Sequence, residues 1–112
     1  MIFTFIAPLR TVSLANAREH WAVRAKRAKT ERLVVRAQMQ DCPAMGDGPL
    51  VVSMTRMGKR LLDDDNLAGS FKAIRDEIAA CLGRDDAPGS GIRWEYEQRK
   101  SKEYGICVQI TT

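Results

Sequence analysis

Residues 61–86 read LLDDDNLAGSFKAIRDEIAACLGRDD, and the rest of the chain is organised around this stretch. Leu67, Phe71, Ile74, Ile78 and Leu82 recur every three or four residues, the period of one buried helical stripe. Gly83 supplies the stop. Three aspartates, Asp63, Asp64 and Asp65, precede the stripe, and a second acidic pair, Asp85 and Asp86, follows the stop. Such a helix is roughly 25 Å long at 1.5 Å per residue, so the chain after it must fold back if the two acidic groups are to meet. Carboxylates that meet would form a hard-oxygen site suited to Mg²⁺ or Mn²⁺.

Upstream, residues 50–62 read as a strand: Leu50, Val52 and Met54 alternate, then Arg56, Lys59 and Arg60 make a more polar end. Gly58 marks a bend or a hairpin in it. If the strand runs on to the aspartates, Asp63 and Asp65 leave one face together and Asp64 leaves the other. Two carboxylates so close repel, and a divalent cation removes that cost. The plainer account is that Asp65 caps the helix and the others lie in a solvated turn. Capping explains one aspartate of the three.

Downstream, residues 87–91 are a Pro/Gly/Ser loop. Ile92, Trp94 and Tyr96 then alternate with Arg93, Glu95 and Glu97 as a half-buried strand, and Ile106, Val108 and Ile110 alternate in another. The polar turn between them predicts a hairpin. Trp94 and Tyr96 could stack bases, but aromatics on the apolar side of a strand are more often core.

The N-terminal side begins with a strand over residues 2–7, ended by Pro8. Thr and Ser capping candidates in residues 11–16 precede a helix expected over residues 14–40, uninterrupted by Pro or Gly. Its apolar residues fall on no clean stripe; Trp21, Ala25, Ala28, Val35 and Met39 make one possible buried face. Its charge is one-sided, with Arg18, Arg24, Lys26, Arg27, Lys29, Arg32 and Arg36 against Glu19 and Glu31. This makes it the best candidate for a nucleic-acid-facing element, through phosphates rather than bases. A solvated basic face is the unspecific alternative. Residues 41–49 (DCPAMGDGP) form a loop. The order β-α-β-α-β-β predicts an α+β fold, a mixed sheet with two helices packed on it, as one domain over residues 1–112.

The 18 Lys and Arg residues outnumber 14 Asp and Glu, and five of those acids sit in the two clusters. A pocket for cations surrounded by a surface for polyanions fits that layout. Cys42, Cys81 and Cys107 are far apart and His20 is the single histidine, which argues against structural zinc and for free thiols in a reducing cytoplasm. The apolar start MIFTFIAPLR is too short to span a membrane and lacks a basic leader, so neither export nor a membrane partner is expected.

An EF-hand starting at Asp63 would need an oxygen ligand at Leu67, Gly at Ala68 and Glu at Ile74. Neither a GxxxxGK[ST] loop nor HExxH nor GxSxG is present. Carboxylates, a metal and surrounding basic residues together point to phosphodiester hydrolysis.

At DDDNLAGSFKAIRDEIAACLGRDD the chain resembles the RusA family of Holliday junction resolvases, which carries D-x-D-N at a helix start and an Asp pair just after the helix. PLRTVSLANAREHW and IRWEYEQRK extend the likeness more weakly, so that it covers most of the chain. The resemblance implies a homodimeric, Mg²⁺- or Mn²⁺-dependent endodeoxyribonuclease acting on four-way DNA junctions. Asp63, Asp65 and Asp86 match the family's metal-binding catalytic aspartates, and Asp85 is a second or substitute ligand. The family's catalytic lysine falls where this chain has Gly69, and Lys72, three residues on, is the nearest candidate for that role. Because of that departure, a junction-binding protein with weak or no nuclease activity is the alternative. A third reading is a small interaction module whose acidic clusters serve only capping and solubility.

Overall fold

The computed structural model describes residues 1–13, 20–84 and 89–112. Seven elements follow in order: β1 (Ile2–Ala7), α1 (Trp21–Met39), β2 (Leu50–Gly58), α2 (Asp64–Ser70), α3 (Lys72–Cys81), β3 (Ile92–Lys100) and β4 (Gly105–Thr111). This is the α+β order β-α-β-α-β-β, with the second helix in two pieces. The four strands make one mixed sheet in the order β1-β4-β2-β3.

The expected hairpin does not form. β3 pairs in parallel with β2 from Leu50↔Ile92 to Gly58↔Lys100. β4 lies on the other side of β2, antiparallel to it and to β1. Alternation in residues 92–97 and 106–110 fixes which face of each strand is buried but says nothing of its neighbour, and the short connection suggested the wrong one. Residues 101–104 instead carry the chain across the end of β2, with the Ser101 amide donating to the Gly58 carbonyl at 2.8 Å. A β-carbon on Gly58 would stand 3.0 Å from the Tyr104 ring and 3.0 Å from the Arg56 guanidinium. Gly58 therefore ends the strand where another segment must cross closely, rather than bending it. The strand stops there, short of residue 62.

Alternate residues of β2, Leu50, Val52 and Met54, are buried under the helices with Ile106, Val108 and Ile110 of β4 and Phe5 and Ala7 of β1. Leu67, Phe71, Ile74 and Ile78 close the core from above, as their spacing predicts. They do so across a break. Phe71 (φ −97°, ψ 5°) ends α2 and opens α3, its amide donating to Ala68 and Gly69. This tightened turn keeps Phe71, Ile74 and Ile78 fully buried on both sides of the break. Gly83 stops the helix at φ +70°, the left-handed conformation a non-glycine residue resists.

α1 starts at Trp21, capped by His20, whose Nδ1 accepts from the Ala22 amide at 3.2 Å. Residues 14–19, where an earlier start was expected, lie outside the described residues. Of the face proposed for α1, Val35 and Met39 are buried, whereas Trp21 is 72% exposed. Glu31 takes a buried place instead. Trp94 and Tyr96 pack against the core as expected. Arg75 of α3 lies 4.9 Å over the Trp94 ring and donates to the Tyr96 hydroxyl at 2.9 Å. None of the described helices is long and apolar enough to cross a membrane.

Candidate nuclease site

The acidic run opens α2. Asp63 occupies the N-cap position in an extended conformation (φ −63°, ψ 154°), and its side chain makes no capping bond. Asp64 and Asp65 fill the first helical turn, and all three side chains are exposed. Strand alternation therefore does not set their directions, because β2 has ended at Gly58. Asp65 is not the cap either. What orders the run is a helix N-terminus, whose exposed amides and dipole favour carboxylates. Just before it, Leu62 is held to β3 by Gln98, which accepts from the Leu62 amide at 2.8 Å and donates to its carbonyl at 2.6 Å. That bridge anchors the start of the acidic turn on the sheet.

Asp65 stands one helical turn before Gly69, on the same face of α2. Gly69 lines a cleft of about 280 Å³ between α1 and the α2–α3 junction, with Arg24, Arg27, Glu31, Arg32, Ser70 and Lys72 among its other walls. Gly69 and Lys72 thus open on the same cleft, as helix neighbours should. An ideal β-carbon on Gly69 meets nothing within 4 Å. Lys72 pairs with Asp76 at 3.4 Å, and Arg32 reaches the same carboxylate at 3.8 Å.

The basic side chains of α1 divide into two sets. Arg32 and Arg36 turn toward α3, where Arg36 forms a two-pronged pair with Glu77 at 3.1 and 3.2 Å. Arg24, Lys26 and Lys29 are exposed, and Arg27 is half-buried. Arg18 lies outside the described residues. Hydrogen bonds and charge from Arg36 hold the Glu77 carboxyl below its ordinary range. Glu31 goes the other way. Burial pushes its carboxyl up to about 7, against the opposing pull of Arg27 and Arg32.

Asp85 and Asp86 lie outside the described residues; their flanks do not. The Arg84 guanidinium donates to the carbonyls of Gly46 and Gly48 at 2.7 Å and of Ser90 at 3.3 Å, and the Leu50 amide donates to Gly91. These contacts sit at the beginning of β2 and β3. Leu62 is bonded to Gln98, six residues further along β3 than Ile92. At about 3.3 Å per residue, Arg84 and the start of the acidic turn are roughly 20 Å apart. Among the described residues no three His, Cys, Asp or Glu side chains come together as a metal-binding group.

Sequence reasoning missed two positions that shape this region. Arg56 is 5% exposed and spends its guanidinium on the Thr11 carbonyl (3.3 Å) and the Arg60 carbonyl (2.7 Å), tying the segment before α1 to the loop before α2. Its even position on β2, in line with Val52 and Met54, was the available signal. Arg84, which clasps three carbonyls, follows the Gly83 stop with nothing in its sequence surroundings to single it out.

The chain matches no family model. It is similar to an uncharacterized protein of Xylella fastidiosa strain Temecula1, 36% identical over 78 aligned residues that cover 63% of this chain and 51% of that protein. The chain thus spans about half the length of that relative.

Proposed function

We propose that this chain is a metal-dependent, structure-selective endodeoxyribonuclease that resolves four-way junctions or related branched DNA, working in the cytoplasm as a homodimer. The observation that carries the reading is the cleft flanked by Arg24, Arg27, Arg32 and Lys72, one helical turn from the exposed Asp65. Cations that attract a phosphodiester thus stand beside carboxylates suited to a divalent ion. RusA-family resemblance supports the same reading and contributes the DNA substrate and the dimer. A twofold protein suits a substrate that needs two symmetric nicks.

Exposed carboxylates with no side-chain capping bond at Asp63 are hard oxygen donors, and they fit Mg²⁺ or Mn²⁺. In this reading Asp63 and Asp65 hold the ion, with Asp86 and Asp85 contributed as the resemblance implies. A bound cation of this kind activates water and offsets the charge growing on phosphate. The protein's own residues do the rest. Lys72 contacts the scissile phosphate, and Arg24, Lys26, Arg27 and Lys29 hold the flanking backbone, with Arg18, Arg32 and Arg36 adding to the same field. Asp76, shared by Lys72 and Arg32, keeps both cations beside the cleft before DNA arrives.

The second reading, a junction-binding protein with little or no cleavage, is favoured by one specific feature: glycine at position 69 where the resembling family has its lysine. Incubating the purified chain with a synthetic four-way junction, with and without Mg²⁺, separates the two. Mg²⁺-dependent symmetric nicks support the nuclease. Tight, salt-sensitive binding without nicks supports the binder, and absence of both removes DNA from the account.

A further inference from the structure

Two of the free thiols stand in a place the nuclease reading does not use. Cys42 and Cys81 both line a cavity of about 400 Å³ whose walls also include Met39, Met45, Leu82 and Arg84. Cys42 follows α1, its amide donating to the Met39 carbonyl at 3.0 Å, and Cys81 is the last residue of α3. The topology brings these two helix ends together. Arg32 and Arg36 of α1 face Asp76 and Glu77 of α3, and Arg84 just beyond α3 grips Gly46 and Gly48 of the loop that contains Cys42. The Cys81 sulfur donates to Glu77 Oε2 at 3.4 Å, the carboxylate already held by Arg36. Burial chiefly raises both thiols, and the charge of Cys42 acts on Cys81 across the cavity.

We propose that Cys42 and Cys81 form a reversible disulfide under oxidising conditions, stapling the C-terminal end of α1 to that of α3. Two features favour this pair over any pairing with Cys107. Cys107 lies in β4, the strand between β1 and β2, and does not line the cavity. The segment carrying Cys42 is loop, with Gly46 at φ +74°, so Cys42 can adjust toward the Cα separation of roughly 4.4–6.8 Å that a disulfide requires.

With a peroxide as oxidant the atoms balance. The thiolate of Cys81, the more exposed of the two, attacks one peroxide oxygen, giving a sulfenic acid and a hydroxide that takes the thiol proton as water. The Cys42 thiolate then attacks that sulfur, forming the S–S bond and expelling a second hydroxide, which leaves as water with the Cys42 proton. Two electrons pass from the thiol pair to the peroxide. The raised thiols make the first step slow at neutral pH, so the bond answers sustained oxidation rather than a brief pulse. Once formed, it removes the Cys81 bond to Glu77 and closes a covalent loop that includes β2 and the first acidic segment, Asp63 to Asp65.

The test treats the full-length reduced chain with hydrogen peroxide and reads intact mass, non-reducing peptide maps and thermal unfolding. The expected result is a loss of two hydrogens per chain, a peptide joining residue 42 to residue 81, and a free Cys107. The melting midpoint should rise by roughly 5–15 °C and return with dithiothreitol. Cys42→Ser and Cys81→Ser should each abolish the mass loss while keeping the reduced midpoint. Cross-links through Cys107, links only between chains, or thiols that over-oxidise without the 42–81 peptide overturn the proposal. This test uses no DNA, so its outcome is independent of the nuclease reading.

Discussion

Arg36 of α1 grips Glu77 of α3 through two parallel bonds, Nε to Oε2 at 3.2 Å and Nη2 to Oε1 at 3.1 Å. Forty-one residues apart in sequence, the two side chains lock the basic helix over α3, the helix that follows the one opened by the aspartates. The geometry is a fork meeting a fork, which a lysine could not reproduce. Glu77 is 7% exposed while Arg36 is open to solvent on its outer side, so salt weakens the pair only in part.

The pair makes a prediction about acid. Folding lowers the Glu77 carboxyl, so its stabilisation is full above the ordinary glutamate range and is lost as pH falls through the lowered folded value. Glu77→Gln should lower the melting midpoint by roughly 2–5 °C at pH 7, and that gap should shrink as pH falls from the ordinary glutamate range toward the lowered folded value. Thermal melts at a series of pH values read this directly. A gap that stays constant down to pH 3 would contradict it.

Glu31 predicts the opposite slope. Its folded carboxyl is raised to about 7 by burial, so the stability tied to its proton is full below about 4.5 and is lost as pH climbs through 7. Glu31→Gln keeps the shape without the ionisation. It should stabilise the chain at pH 8 by about 1–3 kcal/mol, and have little effect at pH 4.5, by denaturant titration. An equal effect at both pH values would assign the change to packing instead.

Position 69 offers a gain-of-function test. An ideal β-carbon there meets open space and Gly69 is not among the glycines with positive φ, so Gly69→Lys should fold and gain up to about 1 kcal/mol of helix propensity. It would also set a second ammonium into the cleft already lined by Lys72. Under the nuclease reading, nicking of a four-way junction in Mg²⁺ should rise by roughly tenfold or more. If Lys72 has taken over the role, Lys72→Ala should lose activity that Gly69→Lys restores. Unchanged rates in all three variants would leave no catalytic part for a lysine on this cleft.

Under the nuclease reading, α1 supplies a non-specific grip on DNA, and salt dependence tests it. Arg24 and Lys29 are exposed, and replacing both with Glu should weaken binding to all junction sequences alike. The slope of log affinity against log salt should flatten by roughly two, one for each lost phosphate contact. An unchanged slope would move the DNA path off this helix.

How much of this was legible beforehand depends on what each residue's neighbours in sequence could say. Leu67, Phe71, Ile74 and Ile78 announced their stripe because helical burial is periodic, and they are buried as read. Their pattern could not reveal the break at Phe71, since a tightened turn leaves all four on one side. The pairing of β3 with β2 was hidden for a similar reason: alternation in Ile92, Trp94 and Tyr96 marks a face and not a partner. Gly58 held the missing information, because only a crossing chain needs the space that Tyr104 fills, but a lone glycine in a strand has several explanations. The faces of the aspartates were read from strand alternation on the condition that β2 ran on to them; it stops at Gly58, four residues before the expected Leu62, so alternation does not set their directions. Arg56 carried one signal, its place in line with Val52 and Met54, whereas Glu31 gave none, since its burial is decided by how α1 packs on its neighbours.

The last prediction tests whether Asp65 and Asp86 share a metal site, as the nuclease reading has it. Arg84, two residues before Asp86, is fixed by Gly46, Gly48 and Ser90 at the start of β2 and β3, roughly 20 Å from Leu62 and the acidic turn. If the proposed dimer brings the acidic turn of one copy to the far end of α3 in the other, each metal site draws on two chains. Asp65→Asn keeps size and a helix-start oxygen while removing a ligand charge, so folding should be retained and nicking should fall by orders of magnitude. Asp86→Asn should do the same. Equal mixtures of the two inactive variants, unfolded and refolded together, should then recover about a quarter of the wild-type nicking rate. Half of the dimers are mixed, and each mixed dimer holds one intact site of its two. Junction binding should persist in every sample, and can tighten as repulsion from the phosphates drops. A mixture as inactive as its components would place both aspartates in the site of a single chain. A single variant that nicks at the wild-type rate would remove its aspartate from the metal site altogether.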